Sequence, residues 1–443
     1  MHGGSQVPPS RTVRRFAAIA TSLWLIVFVA MALRLAYGWD HVREAAPQTL
    51  TVHFQTETGF IAYSLVSGRG FSSPQGEESG PTAWLTPIYP LLIAGIFHFF
   101  GIGTLHAFYA SVFMNMIFSA LTCIPIFYAG KRLGGVGLAA GAAWTWALLP
   151  NAIILPFGWI WDTALTALCV ALLLWATLAI VRSERWRDWC GYGLLWGFTL
   201  MVNPAPGVLL PFWLAWLAYK SPAPARQGWR ARVAKPVFSA AVVILCCVPW
   251  TVRNYRALHE LVPLRSNLGL ELYVGNNENY DPLHPRVWPN LITREKEIYR
   301  FYRMGEMPFM HEEMRKAVSF MVAHPGVEVR LTGGRIAEFW AGTPAPLADF
   351  RRADSPMVLA VAVCNLLAIV GTIAGIAVLL AKRSEFAFPL ITSPVVFPLL
   401  YYLTHGSLRY RHPLDPVIVL LSAIAVAAVL RSVTATQRTS TAS

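Results

Sequence analysis

The chain reads as an all-α protein that crosses a membrane many times, and three observations carry that reading. Apolar residues fill 55% of its 443 positions and charged residues only 13%, against roughly 25% charged in a soluble domain. Its mean hydropathy is +0.48. Uncharged apolar runs of bilayer-spanning length recur along it, and Lys and Arg gather in the short connectors between them, where orientation signals belong.

The formal charge of +13 does not point to nucleic acid. Its cationic clusters lie between hydrophobic segments, and no basic stripe interleaved with aromatic residues occurs in a soluble stretch. The six cysteines, at 123, 169, 190, 246, 247 and 364, sit in or beside apolar segments without a CxxC pair, as small packing residues do.

The run 16–37 follows Arg11, Arg14 and Arg15 and lacks a small-residue cleavage pattern, so it reads as a retained first helix with a cytoplasmic N-terminus. Further spans are expected at about 107–129, 136–155, 162–181, 189–203, 205–219, 236–251, 356–380, 386–404 and 413–431. That gives ten crossings with both ends inside, the first beginning near 17. The cytoplasmic connectors are then KRLGG, RSERWRD, KSPAPARQGWRARVAK and AKRSE, each rich in Lys or Arg. The run 84–100 has about 17 residues, the lower limit for a span. If it crossed, KR at 131–132 would face outside, so it reads as a re-entrant or surface-lying helix.

Three parts follow: a transmembrane core over 1–251 containing a first outer loop at 40–106, an outer helical segment over 252–355, and C-terminal spans with a cytoplasmic tail over 356–443. Within the outer segment, 291–303 is amphipathic, a second helix starts near Pro308 and ends before His324, and a third runs over 327–340.

The candidate chemistry lies at the outer ends of spans, where ionisable groups are cheaper than at the midplane. Glu57 opens the run GFIAYSLV, on the first turn of a short amphipathic helix that Gly68 and Gly70 stop. A carboxylate at a helix start beside the membrane is placed to accept a proton. Asp162, in LPFGWIWDTALTAL, is either an interface anchor at a helix start or a partner facing Glu57 across a cavity. Arg253, Arg256 and Arg265, with Arg409 and Arg411 in SLRYRHPLDP, form an outer cationic set. Such a set suits a lipid phosphate, whose oxygens match the guanidinium fork; packing on anionic headgroups is the alternative. Phosphate-loop, zinc-protease and serine-hydrolase motifs are absent, and the histidines show no zinc spacing.

Several stretches together resemble a known family along nearly the whole chain. They are ETGFIAYSLVSGRGFS with PTAWLTPIYPLLIAGIFHFFG, LPFGWIWDTALTAL, PWTVRNYRALHELVPLRSNLGLELYVGNNE, MVAHPGVEVRLTGGRIAEFW and RYRHPLDPVIVL. The family is the membrane glycosyltransferases that use polyprenyl-phosphate sugars, the GT-C superfamily, in the branch of protein O-mannosyltransferases and lipid A aminoarabinose transferases. The resemblance implies a GT-C-like helical core with outer juxtamembrane helices and a small periplasmic helical domain. It implies transfer of a sugar from an undecaprenyl-phosphate carrier to a glycan, lipid or protein acceptor, with inversion, on the outer face of a bacterial cytoplasmic membrane. Glu57 matches the family's first-loop base candidate, with Thr56 where a second acid often stands; Asp162 matches a later acidic position. Arg253 and Arg256, and Arg409 and Arg411, match its basic motifs, which with Arg265 would hold the donor phosphate. A divalent metal is compatible with this chemistry, and no ligand set in the sequence requires one. A lipid-sugar flippase and a noncatalytic lipid-sugar-binding assembly factor are the competing classes.

Overall fold

The computed structural model describes residues 19–44, 47–158, 160–221, 228–278, 295–343 and 356–440. The arginines at 11, 14 and 15, the middle of the 220–235 connector and the start of the 291–303 stretch lie outside these residues. Regular structure among the described residues is helical, apart from one isolated bridge between Ser72 and Pro81.

The first long helix among the described residues is the apolar α1 (Leu23–Glu44). A five-residue helix and a 3-10 turn lead to α2 (Glu57–Val66), where the Thr56 hydroxyl accepts from Gly59 N and caps the first turn. After an irregular loop comes α3 (Ile88–Phe100), ended by Gly101 at a φ of 89°. Thr104 caps α4 (Leu105–Leu121) through Ala107 N, and α5 (Cys123–Gly134) continues it. α6 (Val136–Leu148) and α7 (Pro150–Gly158) return, bent by 42°. Then follow α8 (Thr163–Ile180), α9 (Trp186–Val202), a 3-10 turn at Ala205–Leu209 with α10 (Leu210–Tyr219), and the long α11 (Gly228–Leu258). Four shorter helices follow: α12 (Leu268–Gly275), α13 (Glu295–Met304), α14 (Glu306–Ala323) and α15 (Pro325–Ala341). The last are α16 (Pro356–Ala381), α17 (Ala387–Val396) and α18 (Asp415–Ser440).

Six of these segments are long and apolar enough to cross a membrane, or seven if α6 and α7 count as one bent span. This corrects the ten expected from hydropathy. The runs at 189–203, 205–219 and 386–404 fall short in the structure. α9 has 17 residues with Asp188 in its first turn, a 3-10 turn precedes α10, and Pro394 and Pro398 interrupt the segment Ala387–Leu403. Hydropathy averages over such breaks, and a proline changes the backbone more than it changes the average. The chain is a multi-pass membrane protein by these helices.

Charge distinguishes the two ends of the bundle. At the C-terminal end of α8, Arg132 donates to Leu178 O (3.1 Å) and Arg182 pairs with Glu385 (3.2 Å), so three basic connectors meet there. The N-terminal end of α8, about 27 Å away at 1.5 Å per residue, carries Trp161 and Asp162. α1 runs alongside α6 and α7, with Ala20 O accepting from Trp144 Nε1 and Tyr37 edge-on to Phe157. Its start therefore lies toward the basic end. With 13 residues, α3 is about 20 Å long, short of a 30 Å hydrocarbon core. Tyr89 donates to Asn115 Oδ1 (3.0 Å), which packs α3 back against α4, and Phe97 meets Phe54 at 4.8 Å.

Arg34 of α1 is fully buried, donating to Ser119 Oγ (2.9 Å), Ala30 O (2.8 Å) and Ala147 O (3.3 Å), and so ties α1 to α4 and α6. α16 and α18 approach through a GxxxG pair, Gly371 and Gly375; a Cβ on Gly375 would stand 2.2 Å from Leu421 O. Since that obstacle is backbone, Gly375→Leu should lower the melting temperature in detergent or abolish folded yield. Gly141→Ala, where a Cβ meets nothing within 4 Å, should leave both unchanged. Equal melting temperatures for the two variants would refute close packing at α16.

Candidate active site

At the end of the bundle opposite the basic connectors lies a cavity of about 450 Å³. Each charged group on its wall is placed by a distinct piece of local structure. Glu57 projects from the first turn of α2, whose start is fixed by the Thr56 cap. Asp162 stands before α8 and accepts from Asn203 Nδ2 (2.9 Å). The Asn203 amide is itself oriented, because its Oδ1 accepts from Ala205 N (2.9 Å) at the NPAP bend. Arg265 donates from Nε to Trp84 O (2.9 Å). The loop that carries it is pinned by Trp250 Nε1 to Leu264 O (2.8 Å) and Ser266 N to Ala83 O (3.0 Å). Arg409 lies over the Trp161 ring at 3.6 Å and the Tyr410 ring at 4.4 Å, and donates to the Tyr410 hydroxyl. Guanidinium–aromatic contact keeps such a charge in place with little water.

The wall opposite α2 holds groups not singled out from the sequence. Glu271, on α12, accepts from Asn267 Nδ2 (2.7 Å) and lies 3.5 Å from His405 Nε2. His405 Nε2 is 2.7 Å from the Tyr410 hydroxyl. Burial, aided by Arg409, pushes the His405 pKa down to about 3, so the imidazole is neutral at physiological pH. The signal for Glu271 in the sequence is a lone acid inside the apolar stretch LGLELYVG. His405 and Tyr410 had no comparable signal.

Arg335, on α15 and with none of its surface exposed, fixes this wall. It donates to Gly275 O (2.7 Å), Asn276 Oδ1 (2.7 Å), Tyr402 O (2.9 Å) and Glu328 Oε1 (2.9 Å). Asn276 Nδ2 in turn donates to Leu403 O (2.8 Å). At Gly275 the chains are so close that a Cβ would lie 1.6 Å from Thr404 O. The first outer loop is held by a second buried group. Glu306 accepts from the Thr82 hydroxyl, Ala83 N (2.9 Å) and Ser266 Oγ (2.7 Å), and burial raises its carboxyl pKa.

Glu57, Asp162, Arg265 and Arg409 thus line one cavity. The other three arginines do not line it. Arg253 spends its guanidinium on the carbonyls of Thr82 and Phe71, Arg256 is exposed on α11, and Arg411 is buried against Asp415 (2.9 Å), Asn365 Oδ1 (2.8 Å) and Trp340 O. Arg409 and Arg411 are two residues apart on a helical turn, so they face different sides.

Burial is the main cause raising the Glu57 pKa above the ordinary carboxylate value, and Glu271 adds to it, while Arg409 and Arg265 pull the other way. Burial likewise raises Glu271, against the same two arginines. Among the described residues no group of three His, Cys, Asp or Glu side chains stands close enough to hold a metal ion. The three carboxylates of the cavity form no such group.

No protein-family model matches the chain, and no curated protein sequence matches it. Solved structures do. The apo form of the Archaeoglobus fulgidus oligosaccharyltransferase superposes with a TM-score of 0.56 over 98% of this chain and 53% of its own, at 14% identity. The same archaeal enzyme, AglB, in complex with an inhibitory peptide and a dolichol-phosphate, gives 0.55 over 97% and 52%, also at 14%. Its complex with Zn and sulfate gives 0.54 over 93% and 49%, again at 14%. The chain spans about half the length of these structures and shares the fold of the part it covers.

Replacing Arg335 by Met leaves Glu328 and three backbone or amide acceptors short of a donor. Removing one member of a buried ionic cluster typically costs about 3–5 kcal/mol. Unfolding of Arg335→Met in detergent should show a loss of that order. A loss below about 1 kcal/mol, the range of exposed pairs, would show that the cluster does not hold this wall.

Proposed function

We propose that the chain is a glycosyltransferase that moves a sugar from a polyprenyl-phosphate donor to a hydroxyl on a glycan, lipid or protein acceptor. The observation that carries the reading is the meeting of Glu57, Asp162, Arg265 and Arg409 around one cavity. The fold shared with an oligosaccharyltransferase solved with dolichol-phosphate supports it. The basic connectors lie at the other end of the bundle, so the positive-inside rule turns the cavity outward, toward the periplasm of a bacterial inner membrane. On this reading α13 to α15 belong to an extracytoplasmic segment.

The reaction is a single displacement with inversion at the anomeric carbon. The acceptor oxygen forms the new bond to that carbon while its proton passes to a Glu57 carboxylate oxygen. The bond from the same carbon to the phosphate oxygen breaks, and its electron pair leaves on the phosphate. Arg265 and Arg409 stabilise that charge; among the described residues the Arg265 guanidinium is held through Nε, which leaves its terminal amino groups for phosphate oxygens. Asp162, steadied by Asn203, supports the site by orienting the acceptor or balancing the arginines. The phosphate leaves without a general acid.

In single-turnover transfer from a saturating lipid-phosphate donor, Glu57→Gln should slow the reaction by about 10²–10⁴ while donor affinity stays near the parent value. The parent rate should fall as pH drops through the Glu57 pKa, because the base works only when deprotonated. That acid limb should lie above the ordinary carboxylate value of 4.5. Transfer by Glu57→Gln at the parent rate would falsify the assignment. Movement of intact donor across the membrane without transfer would favour a flippase.

Arg265→Ala and Arg409→Ala should each weaken donor binding by roughly tenfold or more, as loss of a charge-assisted hydrogen bond worth about 1.5–3 kcal/mol requires. Arg256→Ala should leave binding unchanged. Equal effects at all three positions would point to headgroup attraction instead of a phosphate site.

A further inference from the structure

Glu57 is not the only carboxylate facing the reacting space. Glu271 lines the same cavity from α12, on an element whose position is set by Arg335 and by the close approach of Gly275 to Thr404. Its carboxylate has a donor in Asn267 (2.7 Å) but no ion pair with a cation of fixed charge among the described residues. The basic group beside it, His405, is buried and 3.5 Å away. A carboxylate built into a rigid wall, without a guanidinium bound to it, presents its charge to the cavity.

We propose that Glu271 is a positioning residue of this site whose negative charge sets the basicity of Glu57. The proposal rests on the glycosyltransferase reading for its consequence in catalysis, though the interaction between the two carboxylates does not. Like charges sharing a low-dielectric space resist joint ionisation, so the pair titrates in two steps that belong to both groups. The groups facing Glu57 are Glu271 from α12, Arg265 from the loop before it, and Arg409 and Tyr410 from the turn before α18. Asp162, Tyr89 and His405 also line the cavity. Of these, Glu271 acts to raise the proton affinity of Glu57, and the two arginines act to lower it.

The test has two arms, run on full-length protein in lipid nanodiscs with Glu271→Gln and Glu271→Asp. In the first, the Glu57 carboxyl is titrated by infrared difference against Glu57→Gln, without donor. Its midpoint should move to lower pH in Glu271→Gln and return toward the parent in Glu271→Asp. An unmoved midpoint, or a move to higher pH, overturns the proposal. In the second, the pH–rate profile of transfer should show its acid limb displaced the same way in Glu271→Gln, with a lower plateau and unchanged donor affinity. A uniform loss at every pH, without displacement of the limb, marks a purely structural role and also overturns it. If the parent transfers no sugar, the glycosyltransferase reading fails, and the infrared arm still decides whether Glu271 acts on Glu57.

Discussion

The cavity depends on one buried guanidinium. Arg335 joins α15 to the C-terminal end of α12 and to the carbonyl-rich turn at 402–403. Those are the two pieces of chain that carry Glu271 and His405. They come from positions more than a hundred residues apart, and neither is a long helix able to define its own location. A helix end exposes carbonyls without partners; here a single planar cation satisfies carbonyls from both pieces at once. The close approach this permits, with Gly275 against Thr404 O, leaves no room for any other residue at that position.

Around this tie, buried and half-buried ionic groups divide into two kinds. Arg34, Glu306, Arg335 and Arg411 are buried, make several hydrogen bonds each and join segments of chain. Glu57, Asp162, Glu271, Arg265 and Arg409 have fewer protein partners and face empty space. Desolvation without full pairing is costly, so the second kind persists because the framework built by the first kind holds it in place. That contrast is what separates Arg409 from Arg411, although the two side chains share a motif of five residues, RYRHP.

The class of protein was legible in composition, since apolar runs with basic connectors have few other physical explanations. The positions of Glu57, Asp162, Arg265 and Arg409 were legible as candidates because ionisable residues at span ends are scarce and therefore conspicuous. Two things were not. The number of crossings was overestimated because a hydropathy window does not register the breaks at Pro204, Pro394 and Pro398. The second wall was missed because its defining contacts, Arg335 with Gly275 and Glu271 with His405, span long sequence separations and leave no periodic trace. Which of Arg253, Arg256, Arg409 and Arg411 reaches the cavity is a question of side-chain direction, and spacing alone leaves it open.

The charge balance of the cavity bears on when its base becomes effective. Three carboxylates face two guanidinium groups, with His405 neutral. Arg265 and Arg409 hold the proton affinity of Glu57 down, while burial and Glu271 hold it up. Under the proposed function, a donor phosphate that takes up both arginines cancels much of their effect on Glu57 and leaves that of Glu271 in force. The lipid that occupies the site also excludes water, which strengthens every remaining interaction. Both changes raise the proton affinity of Glu57 and make it a stronger base once the donor is present. The gain has an upper bound, because a base whose pKa rises far above the working pH is protonated and idle. Two arginines opposing one neighbouring carboxylate suit that requirement: they oppose the rise in the Glu57 proton affinity in the empty site, and the donor's own charge relieves that opposition.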